Sequence, residues 1–352
     1  MVRLFLSGDG PRSVILGGIL LCILFALAFA PFLFSGSRAL ETAARISIFI
    51  VLVASYDLLL GYAGIVSFAH TMFFGLGAYG VGLATRHIGR GWDAILAGTA
   101  AGVAIAVVLA FVIALFSLRV RAIFFAMITL AVASAVAVLV SQLSWLTGGE
   151  DGMNLLIPRE LTPAFRPFDE PVLGVRITGR HLNYYLVFFS CLVLFLAMLR
   201  IVNSPFGRVL QAIRENAFRA EAIGYRVVFY RTAATCLSAA IAALAGALFA
   251  IWLRYVGPGT TLSMEIMIDI LLMVVIGGMG TIYGAVIGAT IFVLAQNYLQ
   301  NLMGRASEAT AGIPFLPDLL SPDRWLLWLG VLFILSVYFF PSGVVGRLRS
   351  RG

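Results

Sequence analysis

Few side chains in this sequence have the type and spacing to do chemistry. Ser67 and His70 stand three residues apart in an apolar run, the nearest approach to a Ser/His/Asp nucleophilic grouping. No H-E-x-x-H zinc pattern and no pair of catalytic acids accompanies them. His70 is the only His inside an apolar run, so it either bonds a neighbouring helix or touches a ligand at membrane depth. Asp57 lies near the end of an apolar run and is placed to orient a turn at Gly61. Glu265 and Asp269 lie one helical turn apart at the start of another run, where the helix dipole favours carboxylates. Cys22, Cys191 and Cys236 have neither metal nor disulfide spacing and read as small buried hydrophobes. All 24 basic residues are Arg. A Walker A loop needs a Lys at the phosphates and imine chemistry needs a Lys amine, so the chain is neither a P-loop ATPase nor a Schiff-base enzyme.

The elements that must carry these residues are membrane spans. Hydrophobic residues make up 61% of the 352 and charged residues 11%, with a mean hydropathy of +1.03. Counting Gly and leaving out Tyr, the apolar share is ~68%, against ~45–50% in soluble domains. The fold class is therefore all-α, a polytopic membrane protein. Apolar stretches of ~17–25 residues, the length that crosses a ~30 Å hydrocarbon core, number about ten. They lie near 13–34, 44–60, 65–86, 94–117, 122–146, 183–202, 229–253, 265–283, 284–303 and 324–345. The first ends in Ala28-Phe29-Ala30, which mimics a cleavage site, but its run exceeds the ~7–15 residues of a signal-peptide core and reads as a retained helix. With both termini in the cytoplasm, the inner segments hold 13 Arg, including Arg3, Arg12, Arg119, Arg121 and those from Arg200 to Arg231. Glu150, Asp151, Glu160, Asp169 and Glu170 then fall outside. Two longer segments lie between spans: an outer one over 148–182 with Pro158, Pro163, Pro167 and Pro171, and an inner one over 203–228. Each is too short for a soluble domain of ~50 residues or more.

The inner segment reads as an amphipathic helix over 204–224. Ser204 is placed to cap it, Pro205 suits its first position and Gly224 its end. Phe206, Val209, Leu210, Ile213, Ala217 and Ala220 form an apolar stripe. Arg208, Gln211, Arg214, Glu215 and Arg219 take the other side, with Glu215 and Arg219 spaced as an i,i+4 pair. Such a helix can lie on lipid headgroups, pack on its own spans, or dock into a groove on a soluble partner. Mixed Arg and Glu favours the protein partner over anionic lipid.

Glycine interrupts the spans in a pattern. Gly61 and Gly64, then Gly75 and Gly77, flank Ser67 and His70. The pattern suits a broken helix lining a substrate path, or close packing through small residues. Gly61, Gly64, Ser67 and His70, with Gly277, Gly278 and Gly280, are the candidate path residues. Gly98 and Gly102, and Gly280, Gly284 and Gly288, have the four-residue spacing that lets helices approach closely. A shift of 182 residues carries Gly64, Gly75, Gly77, Gly98 and Gly102 onto Gly246, Gly257, Gly259, Gly280 and Gly284. That shift spans five helices, an odd number, and predicts an inverted five-helix repeat.

Four blocks carry a resemblance. They are Asp57-Leu58-Leu59-Leu60-Gly61-Tyr62-Ala63-Gly64-Ile65-Val66-Ser67-Phe68-Ala69-His70, running on to Tyr79; Phe124 to Ala131 with Thr147 to Gly152; Arg208 to Asn216 with Ala220 to Gly224; and Val274 to Thr281 with Gly284 and Gly288. In order and spacing, over roughly residues 40–300, they resemble the branched-chain amino acid ABC transporter permeases of the LivM type. The resemblance implies one permease domain over 1–352 in a bacterial inner membrane, acting on branched-chain, hydrophobic amino acids. It implies a second, LivH-like permease, two cytoplasmic ATPases that bind the ATP, and an extracytoplasmic solute-binding protein. It implies no catalytic residue, cofactor, metal or nucleic acid on this chain, and lipid as its surroundings. The helix over 204–224 becomes the ATPase-coupling element, with Arg208, Arg214, Glu215, Glu221 and Gly224 as its marked residues. Ala69 stands where Gly is common in such permeases, and the outer Pro-rich segment is long; both bear on substrate or binding-protein docking. Permeases for urea or short amides look similar and are the alternative. An ion-coupled carrier needs a titratable group near the midplane, and no carboxylate sits centrally in any expected span.

Overall fold

The computed structural model describes residues 14–33, 36–117, 122–167, 176–309, 320–339 and 343–350; Arg3, Arg12, Arg119, Arg121, Asp169, Glu170, Pro171 and Arg351 lie outside them. Among the described residues a helix stands at each expected span: α1 (Val14–Ala28), α2 (Ser37–Asp57), α3 (His70–His87), α4 (Trp92–Ser117), α5 (Ala122–Gln142), α6 (Gly179–Val202), α9 (Val227–Leu253), α10 (Met264–Gly277), α11 (Ile282–Ala309) and α12 (Trp325–Phe339). Two short helices, α7 (Pro205–Glu215) and α8 (Ala217–Ala222), lie between α6 and α9, and α13 (Gly343–Ser350) follows α12. Among the described residues, seven helical stretches are long and apolar enough to cross a membrane by length and composition: α2 with the turn that follows it, α4, α5, α6, α9, the 20 residues of Pro258–Gly277 that end in α10, and α11. The other three fall short for local reasons. Helices α1 and α12 have 15 residues each, and α3 is diluted by His70, Thr71, Thr85 and four Gly, nearly all buried inside the bundle. The protein is an all-α, multi-pass membrane protein.

The bundle is built around two helices. In the apolar window of α2, 89% of residues are buried inside the protein, and in that of α9, 72%; α5 buries only 17%. The hydrocarbon around a span is as apolar as the span itself, so this burial is held by close packing rather than by the hydrophobic effect. The closest approach is that of α3 and α9. A Cβ at Gly77 would lie 1.8 Å from the Ala243 carbonyl oxygen, and one at Gly246 1.8 Å from that of Phe74.

Two helix triplets pack in the same pairwise pattern. Helix α9 lies against α3 and α4, which pack on each other; α2 lies against α10 and α11, which pack on each other; and α2 meets α9 between them. Gly98 and Gly102 seat α4 on α3 at Gly80 and Gly77, as Gly284 and Gly288 seat α11 on α10 at Gly277 and Met273. The 182-residue offset does not express this correspondence. It sets Gly98, inside α4, on Gly280, which precedes α11, whereas the packing pairs Gly98 with Gly284 and Gly102 with Gly288. The contact lies inside α3 at Gly80 but at the last residue of α10, Gly277, so no single offset superposes the two triplets.

At one end of the bundle the Pro-rich segment is pinned down. Strand β1 (Met153–Asn154) pairs antiparallel with β2 (Tyr255–Val256), Met153 opposite Val256, and Leu155, Ile157 and Leu161 bury in a second core with Tyr79, Ile251 and Leu262. The opposite, Arg-rich end carries α7 and α8. Helix α1 is tied near the Pro-rich end by Tyr184 and Tyr185, whose hydroxyls donate to the carbonyls of Leu27 and Ala28 at 2.5 and 3.1 Å.

Candidate functional site

Helix α2 does not end cleanly. After Asp57 it widens into a π-helical turn over Leu58–Tyr62, with Ala63 N–H donating to Leu58 O at 3.2 Å. Such turns interrupt α-helices mostly at functional sites. The chain then leaves the helix through Gly64, at φ +68°, and runs irregularly to His70, where α3 begins. A second break separates α10 from α11 at Gly278–Thr281, with Gly278 at φ 113° and Gly280 at φ 80°.

The two breaks meet. Gly280 N–H donates to both carboxylate oxygens of the buried Asp57, at 2.9 and 3.2 Å. A Cβ at Gly61 would lie 2.1 Å from Asp57 Oδ1 and 2.3 Å from Gly280 N, so only Gly lets the two backbones come this close. Arg214 reaches into the same place from α7: its Nη1 donates to the Gly61 carbonyl, and its methylenes pack against Gly64. Gly61, Gly64, Gly278 and Gly280, with Gly277 just beside them, are thus gathered with Arg214 at the Arg-rich end.

Ser67 and His70 lie deeper and are not bonded to each other. Ser67 Oγ accepts from Ala69 N–H at 3.3 Å. His70 Nε2 is 2.8 Å from Ser55 Oγ on α2, which itself donates to Leu52 O at 2.7 Å. With its one proton committed to Leu52, Ser55 accepts from His70, which fixes the Nε2-protonated tautomer. Ser238 of α9 donates to the Ser55 carbonyl at 2.6 Å, so the cluster joins α2, α3 and α9. Of the two sequence readings of His70, this geometry is the bond to a neighbouring helix.

A cavity of about 540 Å³ opens toward the Pro-rich end between α5, the start of α3 and the link into α10. Its mouth carries Gln142, Glu150 and Pro258, and its floor Phe68 and Thr71. The floor is fastened to α5 by Phe68 N–H, which donates to Thr129 Oγ1 at 3.0 Å. Leu130, Ala133 and Ala137 supply apolar wall and Ser134, Ser141 and Gln142 supply hydrogen-bonding groups. That combination suits a small solute with an apolar side chain and a charged, hydrogen-bonding head. Sequence reasoning missed this wall, because α5 is apolar almost all round. The signal was the four-, three- and four-residue spacing of Leu130, Ser134, Ala137 and Ser141, one helical stripe carrying both serines of the helix.

The surface segment departs from one continuous helix. Asn216, at φ −157°, breaks it, and its side chain accepts from Arg219 N–H at 3.0 Å to cap α8. Glu215 and Arg219 are therefore not one helical turn apart. Ser204 precedes Pro205 as expected but donates its hydroxyl to Ile201 O at 2.6 Å instead of capping α7. Gly224, at φ 99°, closes α8 with Tyr225 N–H on Ala220 O at 3.0 Å, the Schellman arrangement. Leu210, Ile213 and Ala220 are buried; Arg208, Glu215 and Glu221 face out. So do Phe218 and Ile223, 81% and 73% exposed, two large apolar side chains not singled out from the sequence.

Broken spans around a one-sided crevice, joined through a glycine junction to an exposed amphipathic segment, define a multi-pass membrane protein with a solute-sized opening. The chain belongs to the family described as branched-chain amino acid transport system / permease component, which matches residues 38–337. It is 32% identical over 163 residues to a probable branched-chain amino acid transport permease protein LivM of Methanocaldococcus jannaschii, covering 45% of this chain and 46% of that protein. It is 26% identical over 346 residues to the high-affinity branched-chain amino acid transport system permease protein LivM of Salmonella typhimurium, covering 94% of this chain and 75% of that protein. The same figures hold for the protein of that name in Escherichia coli. No solved structure gives a significant match.

Proposed function

We propose that this chain is the membrane permease subunit of a binding-protein-dependent ABC importer for branched-chain amino acids. It pairs in the bacterial inner membrane with a second permease subunit, two ATPases and an extracytoplasmic solute-binding protein. The Arg-rich end and both termini face the cytoplasm; the chain holds no cofactor, and ATP binds the partner subunits. The observation that carries this reading is Arg214, which links the exposed α7 to the break at Gly61–Gly64. Four residues on from Gly64 is Phe68, the floor of the crevice.

Work enters through α7 and α8. Arg208, Glu215 and Glu221 are the polar contacts of an ATPase groove, and Phe218 and Ile223 its apolar anchors. When the ATPases close, α7 moves as a short lever, and Arg214 passes the motion to the irregular segment 63–69. The crevice then exchanges its opening at the outer end for one at the inner end. Side-chain selection begins in the separate binding protein, and the apolar wall of α5 accepts what it delivers. The test is purification with the neighbouring ATPase subunits, followed by uptake in vesicles. Uptake that stops when the proton gradient collapses at constant ATP sinks the proposal. Glu215→Arg is expected to lose ATPase association while the permease level in the membrane stays the same.

A further inference from the structure

Asp57 has no task in the mechanism above, yet it is a carboxylate at 1% exposure in the most buried helix of the protein. It bonds across 223 residues of sequence to the backbone N–H of Gly280, and the Thr281 backbone acts on it as well. The neighbouring cation is Arg214, whose guanidinium is held on the Gly61 carbonyl and against Gly280, the two residues that pack on the Asp57 carboxylate. A buried carboxylate is tolerated only while it is paired and hydrogen-bonded. Arg214 also belongs to the one element of the junction that is exposed to a partner.

We propose that Asp57, Gly280 and Arg214 form a charge-dependent latch that holds the inner end of the path shut, with Asp57 as its positioning residue. This deepens the reading of the chain as an ABC permease and rests on it. In the closed state the Arg214 guanidinium compensates the Asp57 carboxylate, and that carboxylate clamps the α10–α11 break onto the π-helical turn of α2. When α7 is pulled, Arg214 leaves the Gly61 carbonyl. The carboxylate is then buried without its cation, so the clasp on Gly280 parts and water enters to solvate it. The segment 63–69 is freed with it, because Gly64 packs on the same Arg214 methylenes. The energetic link between lever and gate is the Asp57 charge, not the bulk of Arg214.

The assembled transporter in inside-out vesicles tests this. Cys22, Cys191 and Cys236 are replaced by Ala, and Ser67→Cys, buried just below the crevice floor, reports access to a membrane-impermeant maleimide from the cytoplasmic side. Arg214→Ala is expected to raise the labelling rate at least tenfold. Adding Asp57→Asn, which keeps an acceptor for Gly280 but removes the charge, is expected to bring the rate back to within about threefold of the parent. A merely structural role predicts the reverse, two losses that multiply. Labelling unchanged by Arg214→Ala, or a double variant labelled faster than either single one, overturns the latch. Where Arg214→Ala lowers the amount of protein in the membrane, Arg214→Gln gives the same comparison, since it keeps an N–H for the Gly61 carbonyl without the charge. The readout needs neither substrate nor ATP. A failed latch leaves ATPase co-purification intact, and a failed ABC assignment leaves the labelling pattern readable.

Discussion

The crossing of α3 and α9 makes a quantitative demand on two glycines. A Cβ at Gly77 would stand 1.8 Å from the Ala243 carbonyl oxygen, and one at Gly246 1.8 Å from the Phe74 carbonyl oxygen. The closest comfortable carbon-to-oxygen approach is ~3.3 Å, so Gly77→Ala must part the two backbones by ~1.5 Å. A gap of ~0.5–1 Å already forfeits a quarter to a half of each dispersion contact along the seam. Overpacking of this kind costs ~1–3 kcal/mol. Gly246→Ala acts at the same crossing and should cost as much alone. Once one methyl has moved the helices apart, the second finds room. The double variant should therefore fall short of the summed cost by ~0.5–3 kcal/mol. Gly18→Ala is the control, because a Cβ there meets nothing within 4 Å and the site lies inside helix α1. Thermal unfolding of the purified protein in detergent reads all four. If either single variant melts with the Gly18→Ala control, or if the double variant equals the sum, the backbone-contact argument is wrong.

Two further outcomes are expected. Ser134→Trp places an indole in the 540 Å³ crevice from the wall of α5 and should reduce vesicle uptake at least tenfold without changing the permease level; normal uptake removes the crevice from the path. Asn216→Ala removes the cap of α8, worth ~1 kcal/mol; amide exchange should rise over 217–222 while the melting temperature hardly moves, and Asn216→Asp should restore protection.

What was legible in the sequence follows from local rules. The spans could be placed because hydrocarbon imposes length and apolarity on each helix separately. Pro205 and Gly224 could be placed because a helix end is a local matter of one fixed φ and one positive φ. The break inside 204–224 was missed although Asn is a favoured N-cap residue: inside a helix it costs only up to ~0.7 kcal/mol, and Glu215 and Arg219 on either side read equally well as one turn. The crevice wall was missed because a uniformly apolar helix does not say which face meets lipid and which faces a cavity.

The sequence by itself determined that this is a helical membrane protein of the permease class, that its glycines mark breaks and close approaches, and that an amphipathic segment lies exposed between two spans. Only the tertiary structure decided which of these features act together. Gly61 and Gly280 are 219 residues apart in number, and nothing local to either indicates the other. They meet because α2 and α10 pack, and because a position without Cβ lets a carboxylate reach a backbone N–H. Arg214 was readable as a surface charge on a polar helix face. Its turn inward onto the Gly61 carbonyl depends on an acceptor that the π-helical turn supplies only after α2, α7 and α10 have been assembled.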